Sequence, residues 1–203
     1  MSTQPKPFLS PEQYLEIERA ADYKSEYYDG EMFAMGGARE GHNLVVANAL
    51  AEIHDQFRQR PCRVYPSDMR VRVNATGLYT YPDIVVVCEE PKFLNDERDT
   101  LLNPAALIEV LSPSTEAYDR GRKFDHYKTI ESLREYLLIA TDRVHADLYM
   151  RQPDNRWLLT SASSLEETLR LESVGAQLTL AALYEKIELP TARLAGPDSS
   201  GPR

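Results

Sequence analysis

The sequence predicts a mixed α/β fold, an α+β arrangement around a mixed sheet with an N-terminal hairpin and a C-terminal meander. Apolar runs at residues 83–87 and 106–111 have the composition of strands that are covered on both faces. Between residues 42 and 57, apolar side chains recur at helical spacing. Asp29-Gly30 lies between two strand-like segments and is the strongest short signal for a hairpin.

Length and composition indicate a globular protein. The chain has 203 residues, of which 42% are hydrophobic and 27% charged. That length predicts one domain, over residues 1–191. Residues 192–203 show no apolar pattern and predict a disordered tail. No apolar run approaches the roughly 18 residues that a membrane span requires, and the N-terminus carries no apolar signal core.

The charge balance excludes one class of nucleic-acid-binding protein. The net charge is −9, whereas a chain that coats nucleic acid requires clustered positive charge. The charge does not exclude a nuclease that has a local basic patch, or one whose acidic cleft is neutralised by metal.

The two cysteines bear on the compartment. Cys62 and Cys88 each lie in or beside a strand-like run, which favours two buried free thiols. Free thiols are typical of a reducing compartment, and the cytoplasm is therefore the predicted location.

The first predicted helix begins at a capping box. Ser10 can cap it, Pro11 suits the first helical position, and Gln13 completes the box. The helix is predicted to end near Ala20.

The hairpin, over residues 23–35, places two acids on one face. A two-residue loop pairs Tyr28 with Glu31 and Glu26 with Phe33, so that Glu26 and Glu31 point to the same side. A solvated edge is the commoner explanation of such a pair, and a metal site is the alternative.

The helix over residues 42–57 carries a candidate histidine at its start. Its buried stripe is predicted to contain Val46, Ala49, Ile53 and Phe57. His42 precedes this stripe by one turn and lies on the same inward face. Such a histidine is usually a hydrogen-bonded structural residue, and a site role requires acids to converge on it.

Arginines concentrate between residues 58 and 72. Short strands are predicted at residues 62–65 and 69–73, where Arg70 and Arg72 alternate with valines and are expected to face outward. This section is either a solvated face or an edge that contacts phosphates.

The rest of the chain predicts further strands and a second long helix. A surface loop is expected over residues 89–104, and a helix from between residues 115 and 119 to about 131. Lys123, Tyr127 and Ile130 share one face of that helix. An antiparallel meander follows at residues 136–140, 144–151 and 157–161, and a strand leads into a short helix at 177–189.

Asp83 and Glu109 are the acids best placed for chemistry. If their runs are neighbouring strands, about 4.8 Å apart, two carboxylates at corresponding ends can share one cation. Oxygen ligands suit Mg²⁺ and Mn²⁺ better than zinc, and a nearby lysine would complete a site for phosphodiester hydrolysis. Equally, Glu109 and Lys123 could form a structural buried ion pair, with Asp83 capping a strand end.

These residues carry a resemblance to known nucleases. Pro82-Asp83, Glu109 and Lys123 resemble the PD-(D/E)xK nuclease superfamily. The chain is more closely similar to a bacterial family of restriction-endonuclease-like proteins, formerly a domain of unknown function. The segments that match it in order are EYYDGE at Glu26–Glu31, His42 opening a helix, Tyr81-Pro82-Asp83, IEVLSPST at Ile108–Thr115 followed by Asp119 and Lys123, and Arg134-Glu135-Tyr136.

The resemblance implies a restriction-endonuclease-like core of order αβββαβ. It implies Asp83 and Glu109 as metal ligands and catalytic groups, and Lys123 as the catalytic lysine. Mg²⁺ or Mn²⁺ is the implied cofactor, and nucleic acid, DNA in the first place, the implied substrate. In the superfamily motif the lysine follows the glutamate by two residues, where this chain has Leu111, and so the lysine role passes to Lys123.

The resemblance also implies Glu26, Glu31 and His42 as auxiliary site residues. Three functions follow for comparison: a metal-dependent endonuclease, a nucleic-acid-binding module that keeps the fold without activity, and a structural metal-binding protein without a nucleic-acid partner. An endonuclease that cuts both strands of a duplex must make two cuts, which favours a homodimer. The net charge and the absent E-x-K lysine favour the binding module without activity.

Overall fold

The structure of the chain, a computed structural model, describes residues 8–189. The helical segments are α1 (Pro11–Ala20), α2 (Glu40–Phe57), α3 (Glu116–Tyr118), a π-helical segment (Asp119–Lys123), α4 (Phe124–Tyr127) and α5 (Leu180–Leu183). Within that range, none of these helices combines the length and the apolar character that a bilayer crossing requires. The tail predicted to be disordered, residues 192–203, lies outside the described part of the chain.

The strands form two larger sheets and one small one. Those of the first half are β1 (Ser25–Tyr28), β2 (Glu31–Ala34), β3 (Arg63–Pro66), β4 (Arg70–Val73), β5 (Leu78–Thr80), β6 (Ile84–Val87) and β7 (Thr100–Leu101). Those of the second half are β8 (Ala106–Val110), β9 (Glu135–Ile139), β10 (Ala146–Arg151), β11 (Trp157–Ala162), β12 (Thr168–Leu171) and β13 (Ala176–Thr179).

The sheets confirm the predicted mixed α/β fold. The six-stranded sheet has the order β11-β10-β9-β8-β6-β3, the five-stranded sheet the order β2-β1-β5-β4-β7, and β12 pairs with β13. Strands β8 and β9 run parallel, as do β4 and β7, whereas the other pairs are antiparallel. The predicted meander is confirmed as β9, β10 and β11.

Helices cover both faces of the six-stranded sheet, and this explains its apolar strands. On β6, Ile84 and Val86 belong to the core cluster that also contains the buried residues of α2. Val85 and Val87 belong to the opposite cluster, with Phe124 from α4. All four β6 side chains are at most 1% exposed, and burying each contributes about 1.5–3 kcal/mol.

The N-terminal elements agree with the predicted local chemistry. Gln13 donates its backbone N–H to Ser10 Oγ at 3.3 Å and accepts from Ser10 N at 2.8 Å, which closes the capping box. The hairpin has the predicted register, with Glu26 opposite Phe33. Gly30 adopts a φ of +81°, and a Cβ there would collide with the ring of Phe8. Glycine therefore suits this turn on two grounds.

One part of the predicted surface is buried. Arg70 is only 3% exposed, so the expectation that it faces outward is wrong. It donates to Tyr81 Oη and Thr100 Oγ1, both at 2.9 Å, and to Asp99 Oδ2 at 2.7 Å. The reason is β7, which forms inside the segment predicted as a surface loop and covers β4.

The predicted free thiols are also wrong, because Cys62 and Cys88 form a disulfide. Each cysteine directly adjoins a strand, and β3 and β6 pair with Arg63 opposite Val87. The same antiparallel register places Cys62 opposite Cys88. The sequence showed both cysteines beside strands but not that those strands are neighbours. The prediction of a reducing compartment loses the support that free thiols gave it.

We expect Asp99 to stabilise the fold in a pH-dependent way. Burial alone would raise its pKa, but hydrogen bonds from Arg19 and Thr100 and the charge of Arg70 lower the pKa to about 2. Because the pKa is lower in the folded state, ionised Asp99 stabilises the fold at pH values above 3.8, its pKa in the unfolded chain. This stability is lost as the pH falls towards 2. Asp99→Asn should therefore cost about 2 kcal/mol in urea unfolding at pH 7, with the difference narrowing below about pH 4.

The control is Asp68→Asn, which removes an 87% exposed carboxylate paired with Lys24. Asp68→Asn should change the unfolding free energy by less than about 1 kcal/mol both at pH 7 and below about pH 4. An equal loss in both variants would contradict the role of the Arg70 network.

Reduction of the disulfide should destabilise the chain. Residues 62 and 88 are 26 apart in sequence, and closing a loop of that length stabilises a protein by about 3 kcal/mol in the chain-entropy model. Dithiothreitol should lower the urea midpoint of wild type by the corresponding amount. The Cys62→Ala/Cys88→Ala variant should have the lower midpoint from the start and should not respond to reductant.

Candidate active site

Strand pairing brings Asp83 and Glu109 together, as the sequence predicted for neighbouring strands. In the antiparallel pair of β6 and β8, Ile84 lies opposite Ile108, which places Asp83 opposite Glu109. Asp83 Oδ2 accepts a hydrogen bond from the backbone N–H of Val110 at 2.8 Å. This bond fixes the carboxylate at the end of β8.

Glu109 occupies a position that would ordinarily hold an apolar side chain. Its neighbours on the same face of the sheet, Leu107 and Leu111, are at most 2% exposed and belong to the core. Glu109 itself is 4% exposed. A carboxylate at such a position is costly unless charge and hydrogen bonds compensate it.

Lys123 supplies the compensating charge. Its Nζ lies 2.8 Å from Glu109 Oε1, 3.4 Å from Asp119 Oδ1 and 3.5 Å from Glu26 Oε1. Tyr127 Oη donates to the same Glu109 oxygen at 2.8 Å. Lys123 and Tyr127 therefore share a face of the helix, as their spacing predicted.

A π-helical turn presents this group to the sheet. The segment Asp119–Lys123 has π-helical hydrogen bonding between α3 and α4. Its two buried residues are Asp119 and Lys123, at its two ends. Single π-turns inside helices are found frequently at functional sites.

Burial and charge act against each other on the buried pair. Burial would lower the pKa of Lys123, but the carboxylates of Glu109, Glu26 and Asp119 outweigh it and raise the pKa well above its ordinary value. Lys123 is therefore protonated at neutral pH. Burial raises the pKa of Glu109 to about 8, with Lys123 opposing and the charges of Asp119 and Asp83 adding to the rise.

Glu26 joins the group from the second sheet. Its side chain is 12% exposed and accepts hydrogen bonds from Thr80 Oγ1 and, at 3.1 Å, from Tyr118 Oη. Glu31, the other predicted auxiliary acid, shares this face of the hairpin by register. Its side chain is exposed.

His42 meets an acid, which was the condition for a site role. It lies in the first turn of α2, and its Nε2 is 3.2 Å from Asp83 Oδ2. Its Nδ1 is buried and makes no hydrogen bond within residues 8–189. The structure therefore brings together five of the six predicted site residues, namely Glu26, His42, Asp83, Glu109 and Lys123.

Sequence reasoning assigned no site role to Asp119, Tyr118 or Tyr127, of which only Tyr127 was predicted to share a face with Lys123. Asp119 precedes Lys123 by one helical turn, so its presence beside the lysine could have been inferred from helical spacing. Tyr118 and its hydrogen bond to Glu26 could not, because the hairpin and the helix are distant in sequence.

The donor set fits a divalent cation that keeps much of its water. Asp83 and Glu109 offer carboxylate oxygens from opposite positions of paired strands. Within residues 8–189, no group of three or more acidic, histidine or cysteine side chains is arranged to enclose a metal ion. Mg²⁺ is typically held by only one or two carboxylates with water and substrate oxygens. Lys123 contacts three acidic side chains, those of Glu26, Glu109 and Asp119. This excess of acidic groups also favours the binding of a cation here.

Breaking the buried pair should be costly, and repairing it should recover part of the loss. Lys123→Met removes the cation that partners Glu109, so that the buried acid must either stay charged in the core or take up a proton and lose its ionic partner. We expect a loss of about 3–5 kcal/mol in urea unfolding with EDTA. Adding Glu109→Gln replaces the acid that has lost its partner by a neutral amide and should recover about 1–3 kcal/mol.

The matched control is Lys128→Met, at the residue that directly follows α4. Lys128 is 39% exposed and pairs with the exposed Asp125, so its loss should cost less than about 1 kcal/mol. Additive effects of the two substitutions in the buried pair would show that Lys123 and Glu109 do not depend on each other.

The chain is similar to known proteins in sequence and in fold. A family model, "Uma2: Putative restriction endonuclease", matches residues 11–182. Two uncharacterized Synechocystis proteins are similar over most of their length: slr1290 is 35% identical over 182 residues (89% of this chain, 93% of that protein), and sll1609 is 36% identical over 152 residues (75% and 86%).

A solved structure shares the fold. It is described as a "putative nuclease belonging to DUF820" from Anabaena variabilis, and it superposes with a TM-score of 0.69 over 86% of this chain and 96% of its own. The two sequences are 18% identical, so this likeness concerns the fold alone. The restriction-endonuclease-like fold implied by the sequence motifs is thereby confirmed. The chain belongs to the Uma2 family.

Proposed function

We propose that the protein is a metal-dependent endonuclease that hydrolyses phosphodiester bonds of nucleic acid, with DNA as the expected substrate. The observation that carries the proposal is the placement of Asp83 opposite Glu109, with Lys123 Nζ 2.8 Å from Glu109. Two carboxylates can hold a metal ion that activates water and polarises a phosphate, and a lysine can stabilise the negative charge that develops. Membership of a family described as restriction endonucleases supports it.

Asp83 and Glu109 would hold the cation, Mg²⁺ or Mn²⁺. Hard cations of this kind prefer carboxylate oxygens. When bound, such an ion polarises the phosphate and lowers the pKa of a coordinated water. His42 and the backbone N–H of Val110 orient the Asp83 carboxylate, so they are positioning groups in this proposal.

Lys123 would stabilise negative charge that develops on the phosphate. The carboxylates around it keep it protonated, and its ammonium group is held rigidly by Glu109, Asp119 and Glu26. Charge that is positioned in advance costs no reorganisation during the reaction. Tyr127 fixes the shared Glu109 oxygen from the other side.

The wider setting of the proposal follows the sequence-based predictions. A single domain over residues 1–191 would carry the activity, acting in the cytoplasm, and a homodimer would allow both strands of a duplex to be cut. The disulfide between Cys62 and Cys88 removes one of the arguments for the cytoplasm.

One observation favours an inactive nucleic-acid-binding or structural module as a second candidate. Glu109 and Lys123 are each about 5% exposed in their side chains and pair directly with each other. A pair of this kind also occurs as a purely structural element. Activity measurements separate the two candidates.

Cleavage of supercoiled plasmid, single-stranded DNA and RNA with Mg²⁺ or Mn²⁺ tests the proposal. Wild type should cut at least one of these substrates, and EDTA should abolish the cutting. Asp83→Asn should reduce cleavage to background, because the amide is a weaker cation ligand while it can still accept from Val110. Calorimetric titration with Mn²⁺ should show the corresponding loss of affinity.

The matched control is Asp142→Asn, which alters a 52% exposed carboxylate paired with Arg143. It should cut and bind Mn²⁺ as wild type does. Folded wild type that cuts none of the three substrates with either metal would favour the inactive module.

A further inference from the structure

The β1–β2 hairpin has two different faces. Ser25 and Tyr27 are buried towards α1, where Tyr14 Oη donates to the Ser25 carbonyl and the rings of Tyr14 and Tyr27 stack with centroids 4.9 Å apart. Successive side chains of a strand point to opposite faces, so Glu26 and Tyr28 lie on the other face of the hairpin. This second face is the one that delivers Glu26 to Lys123.

Two exposed aromatic rings share the face with Glu26. Phe33 lies directly opposite Glu26 in the strand register and is 47% exposed. Tyr28 follows Glu26 by two residues and is 39% exposed. We call Tyr28 and Phe33 the aromatic platform. Among residues 8–189, β2 is the edge strand of its sheet, so no further strand pairs with it beyond Phe33.

The platform is also joined to the helix that carries the lysine. The ring of Tyr28 packs edge-on against His126, with centroids 4.7 Å apart. His126 follows Lys123 by three residues in the same helical segment. Exposed aromatic side chains therefore border the carboxylate–lysine group from the hairpin side, and one of them is fixed in place from the helix side.

The chemistry of this border suits nucleobases rather than a phosphate backbone. The chain has a net charge of −9, and Lys123 is already neutralised by three carboxylates. Attraction of phosphates by clustered positive charge is therefore weak here. Stacking of a base on an aromatic ring needs no net charge, tolerates any base and strengthens binding substantially per base.

We propose that the aromatic platform stacks unpaired bases beside the site, so that single-stranded nucleic acid is the substrate class of the nuclease. In a duplex the faces of the bases are covered by their neighbours and cannot reach a protein ring. An unpaired strand exposes them, and the position of Phe33 opposite Glu26 would bring the attached phosphate to the carboxylates. This inference rests on the proposed function for the chemistry, but its binding step can be tested alone.

Binding of a fluorescent 20-nucleotide single strand, and of the same sequence as a duplex, tests the platform. Fluorescence anisotropy is measured with Ca²⁺ in place of Mg²⁺, so that binding is followed separately from cleavage. Wild type should bind the single strand more tightly than the duplex. Phe33→Ala and Tyr28→Ala should each weaken single-strand binding by about 5- to 100-fold, the effect of losing one stacked base.

Two variants separate stacking from general apolar contact. Phe33→Trp keeps a π-face and should retain the affinity and show quenching of the new indole by the bound strand, whereas Phe33→Leu should behave like Phe33→Ala. The control, Leu158→Ala, removes a 51% exposed apolar side chain from β11 and should bind as wild type does. Sedimentation velocity on each variant reports whether the rings hold two copies together.

Each outcome has one meaning. Unchanged single-strand affinity in Phe33→Ala and Tyr28→Ala, or tighter binding of the duplex by wild type, overturns the inference. A wild-type dimer that dissociates in Phe33→Ala, with single-strand affinity unchanged, also overturns it and assigns the rings to a subunit interface. Ring-dependent single-strand binding without metal-dependent cleavage supports the platform while refuting the proposed nuclease activity.

Discussion

A buried lysine connects the two large sheets of this protein. Glu109 belongs to the six-stranded sheet and Glu26 to the five-stranded one, and Lys123 contacts both from the helical segment between them. None of these groups is stable in its position alone, since an isolated buried charge would cost several kcal/mol. The relative placement of the sheets and the ionic group therefore depend on each other.

The same arrangement explains why an acid can occupy a core position on β8. Leu107 and Leu111 on either side of Glu109 pack in the apolar cluster, and the carboxylate is tolerated because Lys123 and Tyr127 satisfy it. Replacing such a pair by apolar residues often preserves or improves stability. Stability alone therefore does not account for the choice of an ion pair over apolar side chains at this position.

Local chemistry allowed much of this to be predicted from the sequence. The capping box at Ser10, the hairpin register at Glu26 and the face shared by Lys123 and Tyr127 depend only on nearby residues, and the structure confirms them. The pairing of the strands next to Asp83 and Glu109 was a supposition in the sequence analysis, and the structure shows that these strands do pair.

The wrong predictions for Arg70 and for the two cysteines share one cause, which is contact between segments distant in the chain. Arg70 was expected at the surface because β7, thirty residues later, could not be foreseen as its cover. Cys62 and Cys88 were expected to be free because the pairing of β3 with β6 is not visible in either segment. Asp119 lay within local reach and was not assigned.

The disulfide has a consequence for the outer boundary of the six-stranded sheet. β3 is an edge strand, and an exposed edge offers unpaired backbone groups on which another chain can add a strand and begin to aggregate. This edge is short, carries Arg63 and ends at Pro66, which has no N–H to donate. Because Cys62 is bonded to Cys88 at its other end, β3 is also held against its partner strand. β3 therefore resists both fraying and edge-to-edge association, and its neighbour β6 is the strand that begins directly after Asp83.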